Sequence, residues 1–182
     1  MKTSKRLVKY LLFLSFAISI NTTLLAQEES LGESIDRITF SWDTESLGLT
    51  DYQGLTKFCK DVDYRNSIID LMNEIHHYDS VLYDKAILAQ SRSTDKEIEK
   101  LIKEIESFEG KYSPKNFVHF LKIECDSQKE LEKNAEDLST AMGEESVDGQ
   151  IYVIEVELQR YVKHLTHRVD NIRKHVHHLH IK

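Results

Sequence analysis

Apolar residues recur along this chain at helical steps, and the pattern is clearest toward its C-terminal end. Leu158, Val162, Leu165, Val169, Ile172, Val176 and Leu179 alternate steps of four and three. That spacing is a heptad seam, with Val at one core position and Leu or Ile at the other. It predicts one long helix from about Gly149 to His180. Packing inside the chain's own bundle accounts for the seam, because three other amphipathic helices are available. A parallel homodimer through this last helix would use the same geometry.

The three other helices follow from the same period. Ile68, Met72, Ile75, Leu82 and Ala86 predict a first helix from Thr50 to about Gln90, with Thr50 and Gln53 as a capping box and a kink near Gly54 or Asp61. Ile98, Leu101, Ile102, Ile105 and Phe108 mark a second, entered through Thr94 and Glu97 and closed by Gly110. The third opens with Ser113 as cap and Pro114 in its first turn, the place proline favours. Its stripe is Phe117, Leu121, Leu131, Ala135, Leu138 and Met142, and Gly143 closes it. Residues 109–114 then read as the turn of an αα-hairpin. Strand alternation appears only at Ile38–Trp42, too short to build a sheet. The expected fold is all-α: an antiparallel bundle of about four helices, one short, over residues 50–182, preceded by an irregular segment at 27–49.

The first 26 residues have a different layout. Lys2, Lys5, Arg6 and Lys9 precede an apolar run from Leu11 to Ile20, then small and polar residues up to Ala26. This is the three-part arrangement of a secretory signal peptide, cleaved after Ala26. The run is about half the roughly 20 apolar residues that span a bilayer, so no transmembrane anchor is expected in the mature chain. The protein is expected to be exported, to the periplasm or beyond. In such an oxidising compartment Cys59 and Cys125 are expected to pair as a disulfide.

Removing the leader sharpens the charge pattern. The chain has 24 basic and 31 acidic side chains, net −7, and four of the basic ones lie in the leader. The mature chain therefore carries −11. Residues 159–182 hold six basic side chains and one acid, Asp170, while residues 27–158 sum to −16. The last helix is thus cationic against an acidic body. Arg160, Lys163, Arg168, Arg173 and Lys174 are the residues expected to dock an anionic protein or envelope component. The competing account is internal, with the basic helix lying against its acidic neighbours. Nucleic acid fits poorly, since the protein is net acidic and lacks interleaved basic and aromatic residues.

Six histidines crowd the same helix. His164, His167, Asn171, His175 and His178 form a second stripe, while His177 and His180 lie elsewhere on the wheel. Imidazoles one turn apart can grip one metal ion, which makes His164, His167, His175 and His178 candidate ligands for Cu, Zn or Ni. No HExxH and no Cys–His pattern accompanies them. A transition-metal binding protein is accordingly the second reading.

Catalysis finds little support. The chain shows no nucleophile elbow, no phosphate-cradling glycine loop and no haem-attachment motif. Glu74 and His77 form one Glu-x-x-His, where a di-metal bundle uses two. Asp79, Glu124 and Glu155 occupy would-be core steps, and a buried carboxylate needs a partner. A site built from His76, Asp79 and Glu124 is the enzymatic alternative. The leading expectation is an exported, non-enzymatic bundle that binds a macromolecular or envelope partner and needs no cofactor.

Overall fold

The computed structural model describes residues 31–92 and 94–179, so the expected leader lies outside the described residues. Among the described residues six α-helices follow one another: α1 (Leu31–Ser46), α2 (Tyr52–Lys60), α3 (Val62–Gln90), α4 (Lys96–Lys111), α5 (Pro114–Met142) and α6 (Glu144–His178). A short 3-10 turn, Leu47–Leu49, joins the first two. Among the described residues there is no strand, and the fold is all-α.

Two expectations are corrected near the start. The segment expected to be irregular forms α1 from Leu31 onward. Ile35, Ile38 and Trp42, at steps of three and four, are all buried in the core. The brief alternation at Ile38–Trp42 is therefore one helical face, and Thr39 donates its hydroxyl to the Ile35 carbonyl a turn earlier. The helix expected over residues 50–90 is two helices. Asp61 divides them: its N–H bonds the Lys57 carbonyl to end α2, and its carboxylate accepts from the Tyr64 N–H to start α3. One residue closes one helix and opens the next, because an Asp side chain competes with continued helix at this position.

Caps fix the remaining boundaries. Asp51, rather than Thr50, caps α2 by accepting from Gly54 N–H at 2.7 Å, and Asp95, rather than Thr94, caps α4. Ser113 caps α5 ahead of Pro114, as its sequence signature predicts. Gly143 ends α5 with φ +89°, a left-handed conformation that glycine adopts without a Cβ clash. α6 starts at once, at Glu144, five residues before the expected Gly149.

The pairing of helices also departs from the expected order. The turn at 109–114 does not fold α5 back along α4; α4 packs chiefly on α3, and α5 packs on α6, α3 and α2. The antiparallel hairpins are α3–α4, through residues 91–95, and α5–α6, through Gly143. Ser113 explains the junction. It precedes proline, which excludes it from helical backbone, and its ψ of 154° sets the chain off in a new direction. α1 runs antiparallel to α6, with Trp42 Nε1 donating to Thr166 Oγ1 at 2.9 Å and Asp36 beside Arg173 further along.

The core confirms the periodic reading of the last helix. Leu158, Val162, Leu165, Val169, Ile172 and Val176 are all buried within the chain. Burying each such side chain contributes roughly 1.5–3 kcal/mol, so the seam is committed to the bundle's own interior. Cys59 on α2 and Cys125 on α5 form the expected disulfide, with their Cα atoms 5.5 Å apart. Gln128 donates to Thr56 and Lys60 pairs with Glu132 beside it, so α2 is tied to α5 at three levels. No described helix is long and apolar enough to cross a membrane.

Candidate functional site

The expected cationic surface of the last helix is rearranged in the structure. Arg168 does not face solvent. Its Nη2 donates to Asp79 Oδ1 of α3, and both side chains are almost fully buried. Burial of an isolated charge is costly, and this pairing resolves both the flagged core carboxylate and the misplaced arginine. Arg160 turns to Glu157 at 2.6 Å and Arg173 to Asp36 at 3.7 Å. Lys163 and Lys174 are exposed, and neither makes an ion pair among the described residues.

Cations from another helix replace those that were lost. The break after Lys111 carries α4 away from α6, and an open groove of about 510 Å³ lies between them. Lys100, Lys103 and Lys111 of α4, with Glu104 and Ser107 among them, form one wall, and His164, His167 and Asn171 of α6 form the other. These lysines escape a sequence reading centred on the C-terminal helix. The signal was present: they occupy α4 positions off the buried Ile98–Leu101–Ile102–Ile105 stripe. Along α6, Lys163 precedes His167 by one turn and Lys174 follows Asn171 by three residues, so both flank this wall without lining the groove.

Local contacts set how available these charges are. Lys103 pairs with Glu99 at 2.7 Å, which raises the lysine's pKa and lowers the glutamate's, mainly through their hydrogen bond. Lys100 lies 3.8 Å from Glu104. Both are solvent-exposed pairs within one helix, screened by water and weak, so an incoming anion can displace them. At one end of the groove Tyr112 stacks on His164 with ring centres 3.9 Å apart, and the Lys111 ammonium lies 5.3 Å from the same tyrosine ring. This end presents an aromatic face beside positive charge. The floor is Arg168, its charge already balanced by Asp79.

The candidate metal ligands are not assembled. His164 is stacked on Tyr112, and His167 Nε2 sits 3.2 Å from Asn171 Nδ2. His175 is half-buried, and the His178 side chain lies outside the described residues. A zinc site takes at least three protein ligands, and no such group of His, Cys, Asp or Glu occurs among the described residues.

A second cleft, about 470 Å³, opens between α3 and α4, with His76, Asp79, Tyr83 and Glu106 in its lining. Tyr83 donates to Glu106 at 3.1 Å; that bond, burial and the nearby carboxylates all raise the phenol's pKa, so it keeps its proton. His76 and Asp79 thus share one cleft, but Glu124 does not join them. It lies on α5, where burial and the neighbouring Glu157 raise its pKa. Glu155, the third flagged carboxylate, accepts from the Tyr52 N–H at the start of α2. Each core carboxylate has gone to a different place.

Comparison of the chain with protein-family profiles, curated proteins and solved structures finds no match.

Proposed function

We propose that this is an exported, non-enzymatic binding protein whose α4–α6 groove docks an anionic macromolecule or envelope component. One observation carries the reading: two facing walls, with three lysines (Lys100, Lys103, Lys111) against one acid (Glu104) opposite His164 and His167, meet on a protein whose net charge is negative. Such segregation gathers positive potential in a concave site, which steers an anion to it. Eleven residues separate Lys100 from Lys111, about 16 Å of helix, so the site suits an extended ligand with several anionic groups. Export is inferred from the leader and is in keeping with the disulfide.

Titration calorimetry with a heparin oligosaccharide at low salt tests the reading. Saturable binding is expected, weakened at least about tenfold in a K100A/K103A/K111A variant. Binding of equal strength in that variant would place the anion elsewhere.

A further inference from the structure

The far end of the molecule bears the opposite charge. Between Leu131 of α5 and Ile154 of α6, both buried, no residue from 132 to 153 is buried. The α5–α6 hairpin therefore extends past the buried core. This stretch holds six acidic side chains and one basic, Lys133. Glu132 is paired with Lys60, whereas Glu136, Asp137, Glu144, Glu145 and Asp148 make no ion pair among the described residues. Met142, beside the Gly143 turn, is 69% exposed.

We propose that the acidic hairpin of one copy docks in the cationic α4–α6 groove of the next, so that the chain assembles head to tail. The inference rests on the reading of that groove as an anion site and names its occupant. Charge, size and chemistry agree. Residues 132–142 of α5 run about 16 Å, the length of the lysine row on α4. Carboxylates on the hairpin meet Lys103 and Lys111, replacing weak pairs within one helix by pairs between copies. Met142 supplies an apolar anchor for the Tyr112–His164 end, where sulfur and aromatic ring attract. The two surfaces are different patches, so the contact is heterologous: repeated, it generates a closed ring or an open filament. It is independent of the heptad seam, which the core already uses.

Sedimentation velocity on the mature chain, with two neutralising variants, decides the matter. K100A/K103A/K111A removes the groove's lysines, and E136Q/D137N/E144Q/E145Q/D148N removes the hairpin's five carboxylates that make no ion pair; circular dichroism checks that both keep their helicity. Wild type is expected to grow beyond a dimer at low salt and to fall back to monomer in high salt. Each variant alone is expected to associate at least tenfold more weakly. Mixed together, they retain one intact groove and one intact hairpin, and should form a dimer that grows no further. Mixed variants that stay monomeric, or variants that each still assemble alone, would overturn the proposal. A wild type that stays monomeric yet binds heparin oligosaccharide would overturn head-to-tail assembly and leave the groove's anion site standing. A wild type that does neither would remove both.

Discussion

Arg168 of α6 and Asp79 of α3 form a buried ion pair across the bundle, 89 residues apart in sequence. Asp79 lines the α3–α4 cleft and Arg168 the α4–α6 groove, so the pair sits between the molecule's two concavities. Removing one partner strands the other charge in the core. Arg168→Met and Asp79→Leu are each expected to cost about 3–5 kcal/mol in chemical denaturation. The double variant is expected to recover most of that loss, because it buries no charge. A double variant as unstable as the singles would show that the guanidinium is held by more than its partner.

The disulfide closes a long loop, with 66 residues separating Cys59 from Cys125. Restricting the unfolded chain over that span is worth about 4 kcal/mol on the loop-entropy account. A C59A/C125A variant is expected to lose stability on that scale while keeping its helical content. A loss below about 1 kcal/mol would mean that packing of α2 on α5 suffices without the link.

Two glycines should respond in opposite ways to alanine. A Cβ on Gly54 would run into the backbone carbonyl of Gly48, where α2 crosses the turn that follows α1. Gly54→Ala is expected to destabilise the fold by more than about 3 kcal/mol, since backbone cannot yield as a flexible side chain can. Gly149 lies inside α6 with nothing near its missing Cβ. Gly149→Ala is expected to stabilise by about 0.5–1 kcal/mol through helix propensity alone. Thermal unfolding of the two variants checks both signs.

Glu124 gives stability a pH dependence. Burial, with Glu157 nearby, raises its pKa in the folded state, so folding favours the protonated form. The carboxyl costs nothing below the ordinary glutamate range and becomes a penalty as pH rises through its raised folded value. Glu124→Gln is therefore expected to match wild type near pH 4 and to exceed it at neutral pH. The gain should be about 0.5 kcal/mol, because the site is partly solvated. A gain that is the same at both pH values would point to packing instead of ionisation.

Periodicity made the long helices legible, because burial demands apolar residues at fixed steps. The seam from Leu158 to Val176, the Ser113–Pro114 entry and the Gly143 stop all follow from local rules. α1 escaped because the apolar part of its buried face, among the described side chains, is Ile35, Ile38 and Trp42, with Ser34 and Thr39 buried beside them, too brief to stand out among polar neighbours. The pairing of helices escaped for another reason. A turn at residues 112–113 looks alike in sequence whether the next helix folds back or steps onward, and only packing on α3 and α6 decides. The candidate site depended on that choice. With α4 stepping away from α6, its lysines become a groove wall. Arg168, at a position flanking the seam, is drawn inward by a carboxylate that no short-range pattern connects to it.

The most direct test of the account is an amide chemical-shift map of residues 27–182 titrated with heparin oligosaccharide at low salt. The predicted result is a saturable set of shifts confined to Lys100–Lys111 on α4, Tyr112 just after it, and Lys163–Lys174 on α6, abolished in high salt. Shifts centred on another face, or none at all, would contradict the assignment of the α4–α6 groove as the binding site.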